Sequence, residues 1–269
     1  MSGCSHNCGS CGQSCDSRVE VCKPLNDVNI KKIIGVLSGK GGVGKSMVSS
    51  LLAVELARKG YKVGIMDADI TGPSIAKIFG MNKPLFGDDE GIIPHETSLG
   101  IKLVSINMML ESEDTPVLWR GPVIGSVVRQ FYNEVHWGEL DYLIIDMPPG
   151  TSDVALSVLS EIPVDEIVMV TSPSKLVSMV VSKAIKMVEQ TKSHVIGLVE
   201  NMAYVKCDEC GHKIDIYKED DTENIAKNYD LEILSKLPID INLANLTDNG
   251  LIENYDGNYL EGLVNKLQK

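Results

Sequence analysis

From Lys32 onward, short apolar runs alternate with segments whose apolar positions recur every three or four residues. Ile33-Ile34-Gly35-Val36-Leu37 is a run of the first kind, while Met47, Leu51, Leu52, Ala53, Leu56 and Ala57 fall at the second spacing until Gly60 ends it. Continuous apolar runs suit strands covered on both faces, and the longer period suits the helices that cover them. Strands are therefore predicted at 33–37, 62–66, 101–106, 142–145, 166–170, 195–199 and 232–235. With helices between them, the pattern predicts an α/β fold: a doubly wound, mostly parallel sheet of about seven or eight strands with helices on both faces. No internal repeat is present.

The last periodic stretch, Leu260, Leu263, Val264 and Leu267, predicts a helix docked on the core. Only Lys266 and Lys269 are basic there, and Glu261 opposes them, so a membrane-gripping helix is disfavoured. Residues 1–30 break the alternation: they are rich in Ser, Gly and Asn, hold Cys4, Cys8, Cys11, Cys15 and Cys22, and read as a flexible tail ahead of one domain at 31–269. No run of 18 apolar residues occurs, and the first residues form neither a charged n-region nor an apolar h-region. The expectation is a soluble cytoplasmic protein with no membrane partner. The balance of 25 basic against 37 acidic residues, −12 in all, opposes a nucleic-acid footprint.

Between the first apolar run and the first helical segment lies Gly39-Lys40-Gly41-Gly42-Val43-Gly44-Lys45-Ser46-Met47, which fits GxxxxGK[ST]. Glycines let backbone N–H groups turn onto phosphate oxygens, Lys45 adds charge near the β and γ phosphates, and the Ser46 hydroxyl suits Mg²⁺. A strand before the loop and a helix after it put the phosphates at a helix N-terminus, where unpaired N–H groups and the dipole favour anions. Lys40 is surplus to the ordinary pattern. In this form the loop resembles the deviant Walker A of the ATPase superfamily containing MinD, ParA and the nitrogenase iron protein, a resemblance that implies Lys40 reaches the nucleotide of a dimer partner.

Ligands of open α/β sheets gather at the carboxyl ends of strands. Those ends carry Ser38, Asp67, Asp69, Asp146, Thr171 and Asn201. Asp69 is the candidate for positioning or activating the attacking water, and Asp67 for the outer shell of Mg²⁺. Tyr142-Leu143-Ile144-Ile145-Asp146 has the form of Walker B, delivering one carboxylate to the hydration shell of the metal. The segment Met147 to Asp153 is either a switch that senses the γ-phosphate or a plain connection. His95, His136 and His194 lack ligand spacing.

Asp67-Ala68-Asp69-Ile70-Thr71-Gly72-Pro73-Ser74, Trp119-Arg120-Gly121-Pro122, Trp137 to Tyr142, Asp146 to Asp153 and Glu200-Asn201-Met202 together resemble the Mrp-type iron–sulfur carrier ATPases over nearly everything from residue 31. The resemblance implies that Asn201 and the Leu237-Pro238-Ile239-Asp240 segment hold adenine, and that Trp119-Arg120-Gly121-Pro122 is a functional surface loop; a buried tryptophan beside a turn suits the same residues equally well.

Cys207 and Cys210 supply half of a four-ligand site, so a metal held there needs two more ligands, which a twofold homodimer contributes. The resemblance implies a four-iron four-sulfur cluster bridged in this way. Zinc, with His212 nearby, and thiol redox chemistry stay open for this pair. Cys4, Cys8, Cys11 and Cys15 approach ferredoxin spacing without matching it, and their spacing is not that of the eukaryotic cytosolic members; a second cluster, zinc or plain thiols all stay open there. The expected function is an ATP-binding, slowly hydrolysing scaffold that accepts a cluster from donor proteins and passes it to apoproteins. A MinD- or ParA-like positioning ATPase and a zinc-stabilised, nucleotide-dependent regulator are the alternatives.

Overall fold

The computed structural model describes residues 29–69, 72, 74–81, 83–88, 91–109, 121–191, 193–207, 209–217 and 221–269. The tail cysteines and the Trp119-Arg120 pair lie outside these residues.

In chain order the elements are β1 (Asn29–Ser38), α1 (Lys45–Arg58), β2 (Val63–Asp67), α2 (Ile75–Ile78), β3 (Phe86–Gly87), β4 (Ile92–Ile93), β5 (His95–Glu96), β6 (Lys102–Ser105), α3 (Gly121–Glu134), β7 (Glu139–Asp146), α4 (Asp153–Glu161) and β8 (Glu166–Thr171). They continue as α5 (Lys175–Val188), β9 (His194–Glu200), β10 (Tyr204–Lys206), β11 (Lys213–Asp215), α6 (Thr222–Asn228), β12 (Ile233–Lys236), α7 (Ile241–Asp248) and α8 (Glu261–Leu267).

Eight strands form one sheet in the order β12-β9-β8-β1-β7-β2-β6-β5, parallel except for the short β5 at one edge. All seven apolar runs are strands of this sheet, each displaced from its predicted bounds by a few residues at most. β1 is the exception in length, since it begins at Asn29, opposite Glu139, ahead of the predicted domain start. Its second half is buried on both faces, as a central parallel strand requires.

The phosphate-loop helix α1 is enclosed over most of its circumference: Val48, Leu51, Leu52, Ala53, Val54 and Leu56 all have zero exposure, facing the sheet, α2 and α8. A helix buried on all sides is a rigid mount for what precedes it. The terminal helix is docked as its periodicity predicts, with Leu260, Leu263, Val264 and Leu267 in the core. No helix among the described residues is long and apolar enough to cross a membrane.

Three features escape the period argument. β5 has two residues, and the β3–β4 and β10–β11 hairpins stand outside the main sheet with largely exposed side chains.

Candidate nucleotide and thiol sites

β1 ends at Ser38, and the chain then makes the loop that leads into α1. Gly42 and Gly44 take φ of 83° and 81°, the left-handed region where a side chain is strained, which is why glycine stands at both. The loop is braced from beneath: Gly150 N donates to Ser38 O at 2.7 Å and Met147 N to Val36 O at 3.1 Å. Gly39 lies so close to α5 that a Cβ there would come within 2.6 Å of the Val181 backbone nitrogen. A cavity of about 310 Å³ opens over the loop, lined by Gly41, Gly42, Lys45, Asp69, Ser74 and Pro149.

Lys45 is only 6% exposed. Its Nζ sits 2.8 Å from Asp146 Oδ2 and 3.6 Å from Asp69 Oδ2. Ser46 Oγ donates to the same Asp146 oxygen at 2.6 Å. Ser49, which the motif does not include, donates to Asp146 Oδ1 at 2.7 Å. One cation and two hydroxyls thus hold a carboxylate of zero exposure, and the parallel register that pairs Asp67 with Asp146 sets the two strand-end acids side by side.

Asp67 serves the local backbone. Its Oδ1 accepts from Asp69 N at 3.1 Å, and its Oδ2 accepts from Ser74 N, Ile75 N and Ser105 Oγ at 3.1 to 3.2 Å. Burial, with the Asp146 charge adding to it, pushes this carboxyl up to about 7 against the opposing pull of Lys45. Three of these donors are backbone N–H groups of the segment that runs into α2, and the fourth is the Ser105 hydroxyl at the end of β6. Lys40, by contrast, is exposed at the lip of the loop, adjoining exposed Gly41 and Gly42.

Asn201 comes to this loop from the end of β9, two strands from β1 in the sheet. It is 2% exposed and donates through Nδ2 to Val43 O at 2.9 Å. Leu237 and Pro238, at the end of β12, run beside it: Leu237 N donates to Glu200 O and Ala203 N to Leu237 O, both at 2.8 Å. Asp240 then caps α7, accepting from Leu243 N at 3.0 Å and from the hydroxyls of Tyr255 and Tyr259 at 3.0 and 2.9 Å. The described residues predicted for phosphate, Mg²⁺ and base therefore stand at the carboxyl ends of strands of the main sheet or on the segments that follow them. A larger cavity of about 510 Å³ lies away from this cluster, lined by Leu156, Ile162, Pro163 and Gln190, and shares none of these groups.

The hard oxygens of Ser46 and Asp146, with Asp67 and Asp69 beside them, are the donor set Mg²⁺ prefers when phosphate and water complete its shell. Met147 to Asp153 forms the connection into α4, with Gly150 at φ 78° and Ser152 accepting from Ala155 N as N-cap.

Cys207 and Cys210 occupy the turn of the β10–β11 hairpin. Cys207 N donates to His212 O at 2.9 Å and Gly211 N to Cys207 O at 2.8 Å, with Gly211 at φ 70°. Cys207 is half-buried and Cys210 exposed, and neither is in a disulfide. Among the described residues no group of three or more His, Cys, Asp and Glu is placed to hold a metal, so His212 completes no trio with the pair.

The chain is similar over most of its length to known proteins. An iron–sulfur cluster carrier protein of Clostridium perfringens is 46% identical over 249 residues, covering 90% of this chain and 87% of its own length. One from Methanococcus maripaludis is 40% identical, covering 92% and 89%. A nucleotide-binding protein of Archaeoglobus fulgidus, solved with ADP, superposes with a TM-score of 0.78 at 44% identity over 86% of this chain and 91% of its own. The cell-division ATPase MinD of Pyrococcus furiosus, at 21% identity and a TM-score of 0.63, shares the fold. The family model of ParA-type NUBPL iron-transfer P-loop NTPases matches residues 29–266, and the chain belongs to that family.

Proposed function

We propose that this protein is an ATP-dependent carrier that holds a four-iron four-sulfur cluster between the Cys207–Cys210 pairs of two copies and hands it to apoproteins. The observation that carries the reading is the pairing of a buried P-loop centre with two cysteines, neither in a disulfide, on a hairpin turn where no group of three or more His, Cys, Asp and Glu among the described residues is placed to hold a metal. Two chains meeting about a twofold axis supply four thiolates, the usual complement for such a cluster. The iron–sulfur carriers among its relatives support the cargo.

In this reading Gly39 to Met47 cradle the triphosphate, and Lys45 neutralises charge on the β and γ phosphates. Ser46 would hold Mg²⁺, with Asp67 and Asp146 in its outer shell; the ion would supply positive charge to the phosphates and to the leaving group. Asp69, within reach of Lys45, orients the attacking water. Lys40, exposed at the lip, reaches the nucleotide of the second copy, and Asn201 with Pro238 holds adenine. Hydrolysis is slow, as suits a switch whose product is a conformation. Donor and acceptor proteins meet the cluster at the hairpin.

A second reading keeps zinc at the same turn. The bonds from Cys207 N to His212 O and from Gly211 N to Cys207 O give the compact knuckle that zinc thiolates also favour. Anaerobic reconstitution with iron and sulfide separates the two: four irons per dimer support the carrier, and one zinc per chain with no bound iron refutes it.

A further inference from the structure

Val43 stands between Gly42 and Gly44, the two residues of the phosphate loop held in left-handed conformations. A loop that turns N–H groups toward an anion turns carbonyls outward, and the outward Val43 carbonyl is met by Asn201 Nδ2 at 2.9 Å. The fit is close enough that a Cβ on Gly44 would overlap that nitrogen. Asn201 is itself a fixed post: its N–H donates to Thr171 O at 2.9 Å, and the buried Glu200 before it is held by Lys236 at 3.0 Å and by the Thr222 hydroxyl.

The chain leaves this post through Met202, at φ 57°. A non-glycine residue in that region stores strain on the order of 1 kcal/mol. Beyond it every step is tied. Ala203 N donates to Leu237 O, Ile239 N donates to Tyr204 O, and Val205 bridges to Ile239 while pairing with Ile214 across the hairpin. Cys207 follows two residues later. Between the post and the thiol turn, then, one strained joint stands in an otherwise hydrogen-bonded path.

We infer that Met202 is a strained hinge through which Asn201 links the phosphate loop to the cysteine turn, so that nucleotide in the loop resets the exposure of Cys207 and Cys210. The inference rests on the proposed function for the identity of the nucleotide and of the cargo. Its two states differ at Met202: left-handed with Asn201 on the Val43 carbonyl, or relaxed with Asn201 turned to the base. Nucleotide shifts the balance only by the difference in its contacts with the loop and Asn201 between those states. The consequence for a carrier is that loading of one site gates access to the other across the edge of the sheet, without passage through the Walker B strand.

The test uses the full-length, iron-free, reduced protein. Alkylation rates at Cys207 and Cys210 are read by peptide-resolved mass spectrometry, which keeps them apart from the tail cysteines, with and without saturating magnesium and a non-hydrolysable ATP analogue. The parent is expected to change its rate at one or both thiols by roughly fivefold or more. Met202→Gly frees the joint, since glycine enters and leaves that region at no steric cost; it should still bind nucleotide, within the roughly fivefold that a strain on the order of 1 kcal/mol is worth, and lose most of the response. Met202→Asn, tolerated in the left-handed region, should keep it. Equal rates with and without nucleotide in the parent, or a full response in Met202→Gly, overturn the hinge. Because no iron is present, failure of the cluster reading leaves this result standing, and failure of the hinge leaves iron binding untouched.

Discussion

Ser49 Oγ reaches Asp146 Oδ1 at 2.7 Å across 97 residues of chain, one helical turn beyond Lys45. The bond divides the Asp146 carboxylate between two tasks: Oδ1 is anchored to the helix, while Oδ2 faces Lys45 and Ser46. Removing the anchor leaves a buried charge with one oxygen unpaired, at a cost of about 1–3 kcal/mol. Ser49→Ala should therefore lose roughly that much stability by urea denaturation and lower kcat for ATP hydrolysis more than it raises KM. A variant with parental midpoint and parental kcat would show that the bond has no part in placing Asp146.

The two loop lysines should separate in the same assay. Lys45 is buried against Asp146 and Asp69, whereas Lys40 is exposed and free to reach a second copy. Lys45→Ala removes the charge nearest the β and γ phosphates and should abolish productive ATP binding, measured by fluorescent-nucleotide titration. Lys40→Ala should keep binding and lose hydrolysis and nucleotide-driven dimer closure. Parental hydrolysis in both would sink the assignment of the site.

How far the sequence reached depends on which forces left a mark in it. Runs such as Ile33 to Leu37 and Tyr142 to Ile145 are legible because a parallel strand buried on both faces admits almost nothing polar. The loop was legible because phosphate binding demands glycines at set positions. Ser49 and Ser105 were not: each is one serine among many, and only the packing of α1 and β6 against the strand ends makes them partners of Asp146 and Asp67. Nor was the cysteine hairpin. Tyr204 to Lys206 is too short and too exposed for alternation to show, and its register comes from the backbone of Leu237 and Ile239, more than thirty residues away. The Asn201 contact with Val43 belongs to the same class, a tertiary bond between two segments each readable only alone.

Glu55 offers a pH test outside the nucleotide site. It is 5% exposed on α1 and accepts from Leu260 N at 3.0 Å, tying the start of α8 to the helix of the phosphate loop. Burial pushes its carboxyl up to about 7, so the folded state holds the proton that the unfolded chain releases near its ordinary value of 4.5. This contribution to stability is complete below 4.5 and is lost as pH rises through about 7. Glu55→Gln keeps an acceptor for Leu260 N and removes the titration. Urea midpoints at pH 5 and pH 7.5 should fall less steeply with pH in the variant, by on the order of 2 kcal/mol. Parallel pH profiles in variant and parent would mean that Glu55 does not bind its proton on folding.

The shared cargo site makes the sharpest demand. If each chain gives Cys207 and Cys210 to one cluster on a twofold axis, a single Cys→Ser change deletes two of four thiolates from every dimer, and the cluster should be lost in either variant while ATP binding persists. Serine does not repair the loss, because its oxygen is harder and less readily deprotonated than a thiol. The measurement belongs in a chain lacking residues 1–25, which leaves β1 whole from Asn29 and removes the tail cysteines as competing ligands. After anaerobic reconstitution the truncated parent should hold four irons per dimer, read by absorbance and iron content, and Cys207→Ser and Cys210→Ser close to none. Iron undiminished in the variants would place the cluster elsewhere. Iron halved rather than abolished would point to a site built within one chain, for which the hairpin of this structure provides two thiols and no further ligand among its described neighbours.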